Sequence, residues 1–433
     1  MSYIHHDRNN EQMLIPLTVI RGGTSRGFYL EGKNVPKPGE GLEELVLAVR
    51  GSPDPMGMDG LGGDTVLQSK AAIVSPSSQP GADVDYTFIQ MFPGSAAAMT
   101  YRMNCGNISA GVPVFALMKN MVPGVKDGLN TIRVYATNTK KMMYMTVDVL
   151  NGEAKVHGDC EMAGVPGTGS KVLVDFRDQG GALTGKLFPS GNLVDTIKMD
   201  DGTTIDVTIT DMTNPCVFFK AADFGLGLTG LELSNPDGTL IGPPGVQDRL
   251  AELRLKASHL MGWTKMTADQ SINSTMPFAT SIAPPADYTT LDSTQVKAAG
   301  VDLVARWYAA MGYIGMHTAA PGSGSTCLGA AVAIPGTIPN QVLADGPLKS
   351  GKGGDLTFGH PSGEFTLHTE PNLDKDPDKI SYKTLNFPRT SRIICDGSVY
   401  IKENRANGVT WEEADEYTAA SFFMLGDTIS VQR

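Results

Sequence analysis

Along the chain, short stretches in which apolar and polar positions alternate, or apolar positions run together, recur between clusters of Gly, Pro, Asn and Ser. They fall at 17–30, 71–75, 84–91, 131–137, 142–149, 203–209, 216–219, 356–358 and 398–401, and each predicts a short strand. Helical spacing is confined to a few places, at Leu42, Leu45, Val46 and Val49 and at Leu250, Leu253, Ala257, Leu260 and Met261. Residues 301–308 fit both periods, since Val301, Leu303, Ala305 and Trp307 alternate within a stretch that a helix also accommodates. Two segments rich in small apolar residues, 105–117 and 325–333, follow polar turns and predict buried helices opening at Cys105 and Ser325. Many short strands and few helices, without βαβ alternation, predict an α+β fold.

The same pattern in each half suggests a repeat. Residues 24–29 can be laid on 213–218, with an insertion needed further along the second half. The expectation is two similar domains meeting at a cleft, 13–192 and 193–402, divided near Pro189-Ser190-Gly191-Asn192, with a C-terminal extension at 403–433.

Composition narrows the function. With 433 residues and a net charge of −11 spread along the chain, there is room for two cores and no basic face for nucleic acid. No apolar run reaches a membrane span and the first residues are polar, so no membrane association and a cytoplasmic location are expected. Five cysteines without a CxxC pair read as free thiols, and the histidines show no ligand spacing, so no metal is expected. Neither a phosphate loop nor a dinucleotide fingerprint occurs, so no cofactor is expected.

Three groups carry candidate chemistry. Cys105, flanked by Asn104, Gly106 and Asn107 at a helix start, has the setting of a reactive thiol beside an anion site; a buried core cysteine is the alternative. Lys70 opens the apolar run Ala71-Ala72-Ile73-Val74, where burial disfavours the ammonium form and makes the amine a base; a solvated strand end is the alternative. Arg21-Gly22-Gly23-Thr24-Ser25-Arg26-Gly27 mixes guanidinium groups, hydroxyls and flexible backbone suited to carboxylate oxygens, or is a plain turn. In the second half His317, Ser325 and Thr326 make a mirror-image candidate, while His360 reads as part of a tight turn.

Taken in order, these segments are specific. The run 21–27, Gly51-Ser52-Pro53-Asp54-Pro55, Asp59-Gly60-Leu61-Gly62-Gly63, Ser69-Lys70-Ala71-Ala72, Asp83-Val84-Asp85-Tyr86, Asn104-Cys105-Gly106-Asn107, Phe188-Pro189-Ser190-Gly191-Asn192 and His360-Pro361-Ser362-Gly363 together resemble the PrpF family, over about 17–401. That family includes methylitaconate Δ-isomerase, 4-oxalomesaconate tautomerase and aconitate isomerases. The resemblance implies a diaminopimelate epimerase-like fold: two similar domains, each a curved β-sheet wrapped around a central helix, with the active site between them. It also implies that Lys70, Cys105 and Ser25 face the substrate. The second half departs from the family's pattern, with Pro321-Gly322-Ser323-Gly324 preceding Ser325 as a glycine-rich insertion.

The implied activity is cofactor-independent movement of a double bond in a small unsaturated polycarboxylate, with aconitate-like tricarboxylates first, then methylitaconate or 4-oxalomesaconate. Lys70 is the expected base and Cys105 the second proton carrier. Thr24, Ser25, Arg26, Gly106, Asn107, His317, Ser325 and Thr326 are the expected substrate-binding set. Two alternatives remain at this point: a cysteine-pair racemase or epimerase using Cys105 and Cys327, and a non-catalytic accessory to an iron-sulfur dehydratase. The segment after Lys402 extends past the family's usual end and is expected to pack either on one of the two domains or on a partner subunit, which leaves a homo-oligomer open.

Overall fold

The computed structural model describes residues 5–6, 8–9, 11–94, 98–101, 103–228, 245–273, 276–310, 314–402 and 412–413. Two compact units share the chain: one holds the residues up to Val174 and takes the chain again from Arg389, and the other is Asp175–Pro388. The break therefore precedes the turn at 189–192. The long strand Ser381–Lys402 explains the return, because its residues from Ser391 onward pair antiparallel with Gln12–Gly22. Apart from 412–413, the expected extension 403–433 lies outside the described residues.

In the first unit the apolar stretch at 17–30 is a hairpin, Gln12–Gly22 against Ser25–Glu31. Ser25–Glu31 lies parallel to Lys70–Pro76, which pairs antiparallel with Val84–Phe92; that strand runs parallel to Gly128–Ala136, itself antiparallel to Lys141–Leu150. Alternation sends side chains to both faces of this sheet. On the outer face Ile15, Leu17, Val19, Phe28, Leu30 and Ile73 join the buried side of the helix Leu42–Arg50 in one cluster. On the inner face lie the helical segments Gly106–Ser109 and Val112–Met118, where Tyr29 donates to the Ile108 carbonyl and its ring packs 5.7 Å from Phe115. Each large apolar side chain buried this way contributes roughly 1.5–3 kcal/mol.

The second unit repeats the pairing order. The hairpin Thr204–Met212 with Asn214–Lys220 is followed by Phe278–Ala283 (parallel), Leu303–Ala310 (antiparallel), Gly354–His360 (parallel) and Gly363–Asn372 (antiparallel). The match of 24–29 with 213–218 thus falls on equivalent hairpin strands. Of the ambiguous stretch 301–308, the residues from Leu303 onward are strand, within Leu303–Ala310, in a sheet buried on both sides. At the centre is the helix Gly322–Val332, every residue of which is buried. It starts three residues before Ser325: Pro321 is the extended N-cap, and the Ser325 N–H donates to the Pro321 carbonyl at 2.7 Å. The supposed insertion 321–324 is the helix's own start. Among the described residues no helix is long and apolar enough to cross a membrane.

Candidate active site

Strand register gathers the first unit's candidates. Ser25, Gly27 and Tyr29 alternate onto the inner face, and the parallel pairing of Phe28 with Ala71 puts Lys70 beside Gly27 on that same face. Lys70 in turn lies directly opposite Gln90. The Lys70 side chain is 6% exposed, its Nζ donates to Gln90 Oε1 at 2.5 Å, and it stands 5.3 Å from the centre of the Phe88 ring. Gln90 is itself fixed, its amide nitrogen reaching the carbonyls of Ser69 and Met91 at 3.0 and 2.8 Å. Burial holds the Lys70 pKa below that of an ordinary lysine, opposed by hydrogen bonding and charge interaction with Cys105.

Cys105 is the N-cap of the segment Gly106–Ser109, as its polar neighbours predict. Asn104 fixes the entry, its Oδ1 accepting from the Cys105 N–H at 2.8 Å, and Ser109 closes the turn onto the Cys105 carbonyl at 2.8 Å. The half-buried thiol also lies within electrostatic reach of Tyr29, Tyr86 and Arg389. The N–H groups of Gly106 and Asn107 belong to the first turn and have no intrahelical acceptor.

Beside the thiol, Asn107 joins two chain segments. Its amide nitrogen donates to Thr24 Oγ1 at 3.0 Å, and its Oδ1 accepts from Arg389 Nε at 2.9 Å. Gly23 and Thr24 form the two-residue hairpin loop, and Gly23 has φ +54°, the positive value such a loop needs at its first central position. Arg21 clasps the loop through the carbonyls of Gly23 and Thr390, both at 2.9 Å. Ser25 is 2% exposed, and its buried hydroxyl has no hydrogen-bond partner among the described residues. Above Thr24 lies the turn of the small hairpin Cys160–Met162 with Val165–Gly169; a Cβ at Gly164 would stand 3.3 Å from the Thr24 methyl.

Arg26 does not join this group. Alternation turns it to the outer face, where it reaches the Gly62 carbonyl at 3.4 Å. The motifs at 51–55 and 59–63 wrap the fully buried Arg50, which donates to the carbonyls of Asp54, Pro55 and Gly63 and to Ser69 Oγ. Their effect on the site is indirect: they fix Ser69, the residue before Lys70. Three groups were not singled out from sequence, namely Gln90, Arg50 and Arg389. Gln90 had a legible signal, as the polar residue in the otherwise apolar run Phe88-Ile89-Gln90-Met91-Phe92. Arg389 is brought to Asn107 only by the return of the chain, and burial lowers its pKa to about 9.

The second-unit candidates have different surroundings from those expected. The Ser325 and Thr326 hydroxyls donate to the carbonyls of Pro321 and Gly322 at 2.9 and 2.7 Å, four residues back along the same helix, and both residues are fully buried. His317 is half-buried, and its N–H donates to the Trp307 carbonyl at 2.8 Å. Cys327 lies inside the helix, its sulfur against the carbonyls of Met212 and Asn214 at 3.2 and 2.9 Å; burial and the neighbouring Cys216 push its pKa up. The N-cap position that Cys105 fills in the first unit is Pro321 in the second. Among the described residues no three His, Cys, Asp or Glu side chains form a metal-binding group.

Comparison with known proteins places this geometry among relatives. The PrpF protein family matches residues 12–402. A 3-methylitaconate isomerase from Eubacterium barkeri is 38% identical over 91% of this chain and 99% of that protein. A (4E)-oxalomesaconate Δ-isomerase from Novosphingobium sp. (strain KA1) is 33% identical over 91% and 99%. The crystal structure of a methylitaconate Δ-isomerase superimposes with a TM-score of 0.76 at 36% identity, covering 93% of this chain and 99% of that one.

Proposed function

The chain belongs to the PrpF family, and on that premise we propose that this isomerase moves a carbon–carbon double bond within a small unsaturated di- or tricarboxylate by proton transfer at Lys70 and Cys105. The observation that supports it most is the buried Lys70 amine, held by a neutral amide and facing a thiol. A neutral amine removes the proton from the allylic carbon; the electron pair shifts through the double bond onto the conjugated carboxylate, giving a dienolate. Reprotonation at the far end of the allylic system completes the reaction. Lys70 returns the proton if both ends present the same face, and Cys105 delivers it otherwise.

The dienolate carries its charge on oxygen and needs donors fixed beforehand. The Arg389 guanidinium, the Ser25 hydroxyl, unpaired among the described residues, and the first-turn N–H groups of Gly106 and Asn107 are groups available in this unit. No cofactor enters the scheme. The cysteine-pair alternative is less well supported, because Cys327 is a core thiol bonded to backbone and Pro321 stands where a second Cys105 would be needed.

Aconitate, methylitaconate and 4-oxalomesaconate share the allylic carboxylate and differ in one substituent, so the substrate panel contains all three. Following ultraviolet absorbance and proton NMR in D2O, we expect the purified protein alone to shift the double bond of at least one, with deuterium entering at the new C–H position. Deuterium exchange at a stereocentre with no movement of a double bond would instead identify an epimerase.

A further inference from the structure

Arg50 ends the helix Leu42–Arg50 and is fully buried, and what it holds is the stretch 51–69, which contains no helix or strand. Its guanidinium donates to the carbonyls of Asp54 and Pro55 near the start of that loop at 2.7 and 3.0 Å. Towards the far end it donates to the Gly63 carbonyl at 3.0 Å and to Ser69 Oγ at 3.2 Å. Glycine lets the chain lie against the arginine: the Gly62 N–H donates to the Arg50 carbonyl, and a Cβ at Gly62 would stand 2.5 Å from Arg50 Cγ. One side chain thus gathers both ends of the loop.

The end of the loop faces Gln90. The Gln90 amide nitrogen lies within hydrogen-bond distance of the Val66, Ser69 and Met91 carbonyls, at 3.1, 3.0 and 2.8 Å. An amide side chain has donors at one end and an acceptor at the other. Turned round, Gln90 would set its oxygen against three carbonyl oxygens and its N–H groups against the Lys70 amine. Two of the three carbonyls that oppose this turn belong to the loop.

We propose that Arg50 is a positioning residue for the base: through Gly63 and Ser69 it holds the loop 51–69 so that the Val66 and Ser69 carbonyls keep the Gln90 oxygen directed at Lys70. Lysine at position 50 keeps the charge and lacks the planar fork that spans these acceptors. With the clamp loosened the amide turns, and its N–H groups occupy the lone pair of the amine and favour the neutral form. That Lys70 is a base rests on the isomerase reading above. The orientation of the amide rests on first-unit hydrogen bonds alone.

The test uses the full-length protein labelled with 15N in its glutamine side chains, the Gln90 pair being assigned by its loss in Gln90→Glu. We expect the Gln90 NH2 signals of the unaltered protein to exchange slowly with solvent, and in Arg50→Lys to shift and exchange faster. In that variant kcat should fall roughly 10- to 100-fold, as for a slightly misplaced catalytic group. KM should stay within about twofold, as for an interaction that matters only in the transition state. The rising limb of the kcat/KM profile should move to lower pH, a shift that general loosening and water entry would not produce. Ser69→Ala removes a single hydroxyl and carries the same readouts if Arg50→Lys does not fold; its kcat should fall roughly 3- to 10-fold, the worth of one hydrogen bond. Gln90 signals unmoved in both variants, or a KM that rises as much as kcat falls with an unshifted limb, would overturn the proposal. Normal turnover in a variant whose Gln90 signals have moved would overturn it as well, leaving the isomerase reading intact. Failure of the unaltered protein to turn over any of the acids would strike that reading instead, while the Gln90 signals still report whether Arg50 orients the amide.

Discussion

Lys70 and Gln90 occupy directly opposed positions of an antiparallel pair, and the lysine Nζ donates to the glutamine Oε1 at 2.5 Å. The partner's neutrality matters more than its presence. An amide oxygen orients the amine without adding charge, leaving burial free to hold the lysine pKa down. A carboxylate in the same place favours the ammonium form, by roughly 1–3 pKa units at such separations. Gln90→Glu should therefore move the rising limb of the kcat/KM profile to higher pH, cutting the rate at pH 7 at least about tenfold and restoring it in alkali. An unshifted limb would mean that Lys70 is not the group titrating.

Lys70→Met tests the base directly while keeping the length and apolar stem of the side chain. The substitution removes a buried amine and leaves one amide acceptor unpaired, a cost of about 1–3 kcal/mol offset by relief of the lysine's own desolvation. Thermal unfolding should change by only a few degrees. The kcat should fall roughly 100- to 10,000-fold, as for loss of a general base. A variant retaining a tenth of normal turnover would remove Lys70 from the mechanism.

Cys105 is half-buried with Lys70 and Arg389 beside it, whereas Cys216 and Cys327 are enclosed. An anionic alkylating reagent is drawn to the Arg389 guanidinium, and a neutral one is not. Peptide mapping after limited treatment should show iodoacetate modifying Cys105 ahead of Cys160, whose pKa burial raises, with saturating polycarboxylate protecting Cys105. Equal rates for iodoacetate and iodoacetamide at Cys105, or no protection, would contradict an anion site there.

Arg389 is a structural consequence that strand patterns could not forecast. The hairpin at 12–31, the strand opening at Lys70 and the capped turn at Cys105 were legible because each is local: period-2 alternation, turn residues and a polar helix start are written within a dozen residues. The link from Asn107 to Arg389 spans most of the chain and depends on the strand 381–402 coming back to pair with the first strand. The start of the second helix was misplaced for a different reason. Gly322-Ser323-Gly324 reads as loop by propensity, but packing against Trp307 demands small residues there, and tertiary contact overrode the local preference.

Lysine has a charge like arginine's but no planar fork, so Arg389→Lys separates charge from geometry. The Nε bond to Asn107 fixes the guanidinium in orientation, and a lysine ammonium at that depth has no second donor arrangement to match. We expect KM for the polycarboxylate to rise about tenfold or more, the worth of one charge-assisted hydrogen bond, with the chain still folded. An unchanged KM would place Arg389 outside the binding set.

The hairpin loop offers the most discriminating test, because steric and conformational effects converge at Gly23. Its φ of +54° is costly for any residue with a Cβ, and a Cβ there would stand 2.1 Å from Asn107 Oδ1 and 3.0 Å from Arg389 Cδ. The backbone term alone is of order 1–3 kcal/mol. The steric term acts on function: Asn107 must swing away, giving up its bonds to both Thr24 and Arg389. Gly23→Ala should accordingly lower stability modestly and raise KM substantially. Asn107→Ala alone should also raise KM, by removing the link between loop and guanidinium. In the double variant the severest clash has no target and only the contact with Arg389 Cδ remains, so the effects on KM should be strongly non-additive, with a coupling of roughly 0.5–3 kcal/mol as for residues in contact. Additive effects on KM would show that Gly23 and Asn107 influence the site separately, and the loop would lose its place in the binding geometry.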